Sequence, residues 1–236
     1  LYDCAWDTDF SFTVPTNLRS GIYAAKLIDE QDNEEMVPFF VTAKQGKPQS
    51  RICVLVPSFT YTVYANIARG NTNKKMLERI KEWSASPWTT DNFPQFGLST
   101  YNYHSDGSGI SSSSRRRPIL TMRSNVISYP GVPGSGCRHF PADSHLWYWL
   151  TTKGYEFDVI TDDELHKYGL AAIEKYSVLL TCSHPEYHTP QSLNALQEYT
   201  NTGGHLMYLG GNGFYWKVAV SDVWPDAVEI RRGEGG

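Results

Sequence analysis

The chain has 236 residues, more than one typical domain and fewer than two full ones, so one complete core with a smaller companion segment is expected. Hydrophobic residues at 40%, charged residues at 19% and a net charge of -4 exclude a disordered chain and argue against nucleic acid or any other polyanion as a partner. Aromatic content reaches 14% and includes fifteen tyrosines, more polar-tipped rings than a core alone requires, so some of the phenols are expected to do chemistry.

Cys4, Cys53, Cys137 and Cys182 lie far apart and form no CxxC pair of the kind that zinc or redox sites use. They read as reduced thiols of a cytoplasmic protein. No apolar run approaches bilayer length and there is no basic-then-apolar leader at Leu1, so no membrane association is expected. The chain opens on Leu1-Tyr2-Asp3-Cys4 without a methionine and stops at Arg231-Arg232-Gly233-Glu234-Gly235-Gly236. Both ends are expected to be cuts.

Apolar residues alternate from Asp9 to Phe12 and again from Gly21 to Leu27, with Phe10, Phe12 and Val14 in the first set and Pro15, Asn17 and Gly21 as punctuation. A third run, Met36 to Val41, follows the acidic turn Asp29 to Glu35. Residues 1–43 therefore read as the last strands of a truncated β-sandwich, too few to hold a core alone. After the polar linker Lys44 to Ser50, Ile52 to Val56 has the continuous β-branched character of a strand covered on both faces. Met76, Leu77, Ile80 and Trp83 give Asn71 to Trp83 a helical spacing, although the segment also suits a long excursion. Ser84 to Gly136 is rich in Ser, Pro, Gly, Asn and Arg, and loops of that length are usually functional. Within it, Ser111 to Arg117 reads as a solvated loop.

Regularity returns with a helix over Ser144 to Lys153 closed by Gly154, a strand over Tyr155 to Ile160, a short helix over Asp162 to Tyr168 and a buried strand over Ser177 to Cys182. Thr189 as N-cap and Pro190 at the first helical position open the next helix, with Leu193, Leu196 and Tyr199 on one face and Gly203-Gly204 at its end. His205 to Leu209 is the following strand. Strands alternating with helices predict an α/β domain over 51–236 with a parallel sheet, its C-terminal end cut, and working loops beyond the carboxyl ends of the strands.

Three of those strand ends run into polar blocks. These are Pro57-Ser58-Phe59-Thr60-Tyr61-Thr62-Val63-Tyr64-Ala65-Asn66, Ser183-His184-Pro185-Glu186-Tyr187-His188 and Gly210-Gly211-Asn212-Gly213-Phe214-Tyr215-Trp216. The long loop adds Gly97-Leu98-Ser99-Thr100-Tyr101-Asn102-Tyr103-His104. Together these blocks resemble the carboxy-terminal catalytic region of the N,N-dimethylformamidase large-subunit family. The resemblance implies a flavodoxin-like, class I glutamine-amidotransferase-like fold and a mononuclear iron, ferric in character, held by two tyrosines and a glutamate. It also implies hydrolysis of small N-substituted formamides, a small partner subunit and homo-oligomerisation. By the same resemblance Glu186 is the carboxylate ligand and Tyr64 the first phenolate. Tyr101 is the second, with Tyr103 left open because a loop gives no register. His184 and Asn212 are the catalytic groups around the metal.

The residue types suit that chemistry. An amide carbon is a poor electrophile, and a metal can polarise its carbonyl or deprotonate a water. Phenolate and carboxylate oxygens are hard anionic ligands that suit ferric iron better than zinc. Phenols ionise near pH 10, so only a strongly positive centre holds two of them as anions at neutral pH. Plainer readings stand beside this one. A tyrosine after a buried strand usually packs its ring inward and leaves its hydroxyl wet. His184-Pro185-Glu186 also reads as a turn feeding an N-capped helix, Phe214 to Trp216 as either pocket wall or core, and the glycine loop matches no phosphate-binding motif. Cys182 follows a strand as an amidotransferase nucleophile does, which keeps a thiol amidohydrolase open, yet its neighbours Thr181 and Ser183 favour a buried inert thiol. A non-catalytic interaction domain is the remaining alternative.

Overall fold

The structure is a computed structural model that describes residues 2–67, 78, 81–82, 90–124, 126 and 137–231. The spacing noted over Asn71 to Trp83 lies outside these residues except at 78, 81 and 82, as does part of the Ser84 to Gly136 stretch.

Strands β1 (Gly21–Ile28) and β2 (Glu34–Val41) form an antiparallel hairpin in which Gly21 faces Val41 and Ile28 faces Glu34. The Asp29 carboxylate closes its turn by accepting from the backbone N–H of Gln31 and Asn33. The alternating run before it does not become a strand. Phe10 and Phe12 are exposed, because among the described residues no strand pairs with their backbone and only Phe12 meets another ring, that of Phe39.

Next come β3 (Ile52–Val56) and the single-turn helix α1 (Ser58–Val63), then the short strand β4 (Ser112–Ser114). Helix α2 (Phe140–Thr152) begins four residues before the predicted start, since Pro141 suits a first helical turn and His139 turns the chain into it with a φ of 54°. Strand β5 (Asp158–Thr161), helix α3 (Asp162–Tyr168), strand β6 (Val178–Thr181), the two-residue strand β7 (Tyr187–His188), helix α4 (Pro190–Asn201) and strand β8 (His205–Met207) follow. Three short strands, β9 (Trp216–Lys217), β10 (Ala219–Val220) and β11 (Ala227–Glu229), end the described chain.

The main sheet has the order β5-β3-β6-β8 and every pairing in it is parallel. β3 lies inside it, which is why Ile52–Val56 is apolar at every position. Cys53 and Leu55 enter one cluster with Leu165 of α3, Leu179, and Ala195, Leu196 and Tyr199 of α4. Val54 and Val56 enter the other with Trp147 and Leu150 of α2, joined by Ile22 and Phe40 of the hairpin. Burying each such side chain contributes roughly 1.5–3 kcal/mol. Among the described residues no helix is long and apolar enough to cross a membrane.

The Ser111 to Arg117 run is not a solvated loop. β4 pairs with β11 in a three-stranded antiparallel sheet ordered β10-β11-β4, and Ser113, Ser114 and Arg117 are buried. The Arg117 guanidinium donates to Ser114 O, Ser113 Oγ, Phe96 O and Gly97 O, so its charge is solvated by protein oxygens instead of water. Arg115 and Arg116 pair with Asp163, Asp226 and Asp3.

Candidate functional site

The carboxyl ends of β3 and β6 are held together by one turn of helix. α1 leaves β3 after Pro57, and two first-turn groups are met by carboxylates of α3: Phe59 N–H donates to Asp162 at 3.0 Å and Ser58 Oγ to Asp163 at 2.8 Å. Thr60 Oγ1 donates to His184 O at 2.9 Å, with Glu186 N–H 3.4 Å away. Tyr61 donates in a short contact to Asp143 of α2, whose other oxygen accepts Ser183 N–H at 2.7 Å. The Ser183–Glu186 segment is thereby registered against the helix that ends at Tyr64.

The Tyr101 loop is fixed by the orphan carbonyl at the end of α1. Ser99 Oγ and Thr100 N–H donate to Val63 O at 2.9 and 3.3 Å, while Arg117 and Asn66 hold Gly97 O. Tyr101 then stacks on Tyr64, with ring centroids 4.4 Å apart and an interplanar angle of 13°. Tyr103, two residues on, is 69% exposed.

The Tyr64 hydroxyl lies 2.8 Å from that of Tyr101 and 3.1 Å from Glu186 Oε2. Glu186 is buried, and its Oε1 accepts from the Tyr215 hydroxyl at 2.5 Å. The Tyr187 hydroxyl makes a short contact with Tyr101, and the exposed Asn212 donates from Nδ2 to the Tyr215 oxygen at 3.1 Å. Thus the structure brings Tyr64, Tyr101 and Glu186 together, and joins Asn212 to them through Tyr215.

Backbone pairing aligns the glycine loop with the Glu186 segment. Gly211 N–H donates to Ser183 O at 2.7 Å, Phe214 N–H to Pro185 O at 2.8 Å and Trp216 N–H to Glu186 O at 3.1 Å, continuing into the parallel β7–β9 pair. A Cβ at Gly210 would sit 2.2 Å from Ser183 O, and one at Gly211 would sit 3.1 Å from His184 Nε2. The glycines are there because the two segments touch, and the second leaves His184 Nε2 unobstructed.

His184 is half-buried, with Nδ1 3.3 Å from Ser183 Oγ. Burial, followed by the nearby Arg138 charge, lowers its pKa despite Glu186, so the ring is neutral at neutral pH and able to accept a proton. His139 packs its ring 4.2 Å from that of Tyr64, and its buried Nε2 has no hydrogen-bond partner among the described residues. Burial, then Arg138 and His184, holds it neutral as well. Burial, followed by the hydrogen bond and charge of Tyr101 and then Glu186, pushes the Tyr64 phenol upward, and Tyr187 moves the same way. Burial and the Glu186 hydrogen bond push Tyr215 up to about 12. Cys182 is fully buried, and burial together with the Asp143 charge raises its thiol well above the usual range. A thiolate nucleophile finds no support there.

Among the described residues no group of three or more His, Cys, Asp and Glu is placed to hold a metal. The converging donors are instead two phenols and a carboxylate, an all-oxygen set that matches a hard, highly charged cation. Such an ion is also what would ionise phenols that burial keeps protonated. His139, whose buried Nε2 has no hydrogen-bond partner among the described residues, packs its ring against that of Tyr64. Sequence reasoning passed over Tyr187, His139 and Asp143, and left Tyr215 undecided between pocket and core. For Tyr187 the adjacent Glu186 was the available signal, whereas nothing local marks Asp143 or His139.

The whole chain, residues 1–236, matches the family described as N,N-dimethylformamidase beta subunit-like, C-terminal. Two curated relatives, each an N,N-dimethylformamidase beta subunit, are 37% identical to it, one from Paracoccus aminophilus and one from an Alcaligenes species. Each alignment covers 98% of this chain and 30% of the relative, so the chain spans about three tenths of their length.

Proposed function

The chain belongs to the N,N-dimethylformamidase beta subunit-like family, and from that premise we propose that it carries the active site of a metal-dependent amide hydrolase. The reaction is cleavage of the C–N bond of small N-substituted formamides such as N,N-dimethylformamide, giving formate and the amine. The observation that carries this reading is the meeting of the Tyr64, Tyr101 and Glu186 oxygens from three distant stretches of sequence. These three residues would hold a mononuclear ferric ion. When bound, the ion supplies Lewis-acid polarisation of the amide carbonyl and acidification of water.

The remaining work falls to the surrounding side chains. His184 Nε2 takes the proton released as water oxygen adds to the carbonyl carbon, and returns it to the departing amine nitrogen. General acid–base help of this kind contributes about 10²- to 10⁴-fold in rate. Asn212 orients substrate or water at the rim. Buried Tyr64, Tyr187 and His139 exclude bulk water from one side of the site, which strengthens each polar contact inside it.

The parallel sheet with helices on both faces supports a flavodoxin-like, class I glutamine-amidotransferase-like fold. The relatives' designation as beta subunits supports a partner subunit; assembly of several copies is part of the same proposal and rests on the family resemblance. Buried Cys53 and Cys182, present as thiols, support a cytoplasmic setting. The test is elemental analysis and amine release from N,N-dimethylformamide in the full-length protein and its Glu186→Gln variant. Stoichiometric iron and turnover, both lost in the variant, are expected. Iron-free protein, with function indifferent to Glu186→Gln, would instead make this an interaction domain.

A further inference from the structure

A buried carboxylate ligand has two oxygens and about four lone-pair positions, and something must decide which of them face a metal. At Glu186 the two oxygens are divided. Oε2 lies 3.1 Å from the Tyr64 hydroxyl, on the side of the stacked Tyr64–Tyr101 pair. Oε1 accepts from the hydroxyl of Tyr215, a 51% exposed residue, at 2.5 Å. The Tyr215 oxygen in turn accepts from Asn212 Nδ2 at 3.1 Å. An amide N–H can only donate, so this contact turns the Tyr215 proton toward the carboxylate.

The arrangement does not depend on an idle surface ring. Phe214 N–H donates to Pro185 O and Trp216 N–H to Glu186 O, so the residues on each side of Tyr215 are bonded to the segment that carries Glu186. Phe214 sits at a φ of 62°, a left-handed conformation that non-glycine residues rarely adopt, and such outliers cluster at working sites. That turn carries the chain from the glycine loop to the point where the Tyr215 hydroxyl meets Oε1.

We infer that Tyr215 is a positioning residue for Glu186: with Asn212 behind it, its hydroxyl engages Oε1 and leaves Oε2 as the carboxylate oxygen presented to the Tyr64–Tyr101 pair. The inference rests on the proposed iron site and deepens it. It assigns to Asn212 a second task, acting on the metal ligand through Tyr215. Hydrogen bonds to a ligand's far side set its orientation and basicity, and their removal typically weakens metal binding or activity by 10- to 100-fold.

The test compares the iron-loaded full-length protein with Tyr215→Phe, Asn212→Ala and the double variant, using competition against a chelator, the visible phenolate-to-iron absorption, and separate kcat and KM. Tyr215→Phe is expected to lose iron about 10- to 100-fold more readily and to shift the absorption. kcat should fall while KM changes little. Because Asn212 acts on Glu186 through Tyr215, its effect on iron retention should largely vanish in the Tyr215→Phe background. Asn212→Ala, at an exposed position, supplies the same readout if Tyr215→Phe does not fold. Wild-type iron retention and absorption in Tyr215→Phe, with only KM raised, would make Tyr215 a pocket wall and overturn the inference while leaving the iron site standing. Wild-type protein that takes up no iron would overturn the proposed site and this inference with it.

Discussion

Replacing Gly210 with alanine tests the contact between the two strand-end loops. The added Cβ would lie 2.2 Å from Ser183 O and 2.5 Å from Ser183 C, both backbone atoms that no rotamer change can move. Ordinary carbon contacts fall near 3.5–4.0 Å, so the loops must part by roughly 1 Å. The Gly211 N–H to Ser183 O hydrogen bond, 2.7 Å long, stretches with them. Overpacking costs about 1–3 kcal/mol and a weakened hydrogen bond about 1 kcal/mol. Gly210 is not among the left-handed glycines, so alanine offsets only about 0.4–1 kcal/mol of this through the unfolded chain. The net expectation is a loss of about 1–3 kcal/mol, read as a lower unfolding midpoint in guanidinium chloride. Turnover should fall more steeply, because a misplacement of about 1 Å at His184 and Glu186 can cost on the order of 100-fold. Gly109→Ala is the control, since nothing lies within 4 Å of its Cβ and its φ is not left-handed. A Gly210→Ala protein that matched this control in stability and the wild type in turnover would refute the close approach of the two loops.

Other substitutions read other parts of the account. Asp143→Ala removes the acceptor of both Ser183 N–H and the Tyr61 hydroxyl, and at about 1–3 kcal/mol for each buried group left unsatisfied it should be among the most destabilising single changes, measured by denaturant unfolding. Arg117→Met strands the carbonyl of Phe96, leaves Gly97 O to Asn66 alone and loosens the Tyr101 loop. Faster proteolysis between residues 96 and 104 is expected, and unchanged cleavage would show that the Ser99 and Thr100 bonds suffice. Because the Cys182 thiol is buried and held protonated, native iodoacetamide treatment should leave activity intact and Cys182→Ala should keep turnover within about tenfold; a loss of 10³-fold or more would restore the thiol route.

Elements specified by local chemistry were legible in the sequence. Thr189 accepts Ser192 N–H and Pro190 opens α4, as a capping residue followed by proline implies, and the acidic residues Asp162 to Glu164 begin α3 directly after β5. The apolar run Ile52–Val56 read as doubly covered because both faces of β3 are packed. What depends on distant partners was not legible. Strands of two or three residues such as β4, β7, β9 and β10 are too short for any period, and β4 exists because β11, more than a hundred residues later, pairs with it. The run at Phe10 and Phe12 has a strand's period and no strand paired with it among the described residues. In the candidate site, Tyr64 and Glu186 follow strands and could be placed at one rim. The choice between Tyr101 and Tyr103 turns on Ser99 and Thr100 meeting Val63 O, and the contact of Tyr215 with Glu186 turns on backbone bonds across 29 residues, neither of which leaves a local trace.

Visible spectroscopy of the iron-loaded full-length protein tests most directly whether the two stacked phenols and the buried carboxylate form the proposed ferric site. A phenolate-to-iron charge-transfer band is expected in the wild type. It should weaken or disappear in Tyr64→Phe and in Tyr101→Phe, and persist unchanged in Tyr103→Phe, whose ring is exposed. Iron-loaded protein without such a band, or a band that survives both Tyr64→Phe and Tyr101→Phe, would contradict the account.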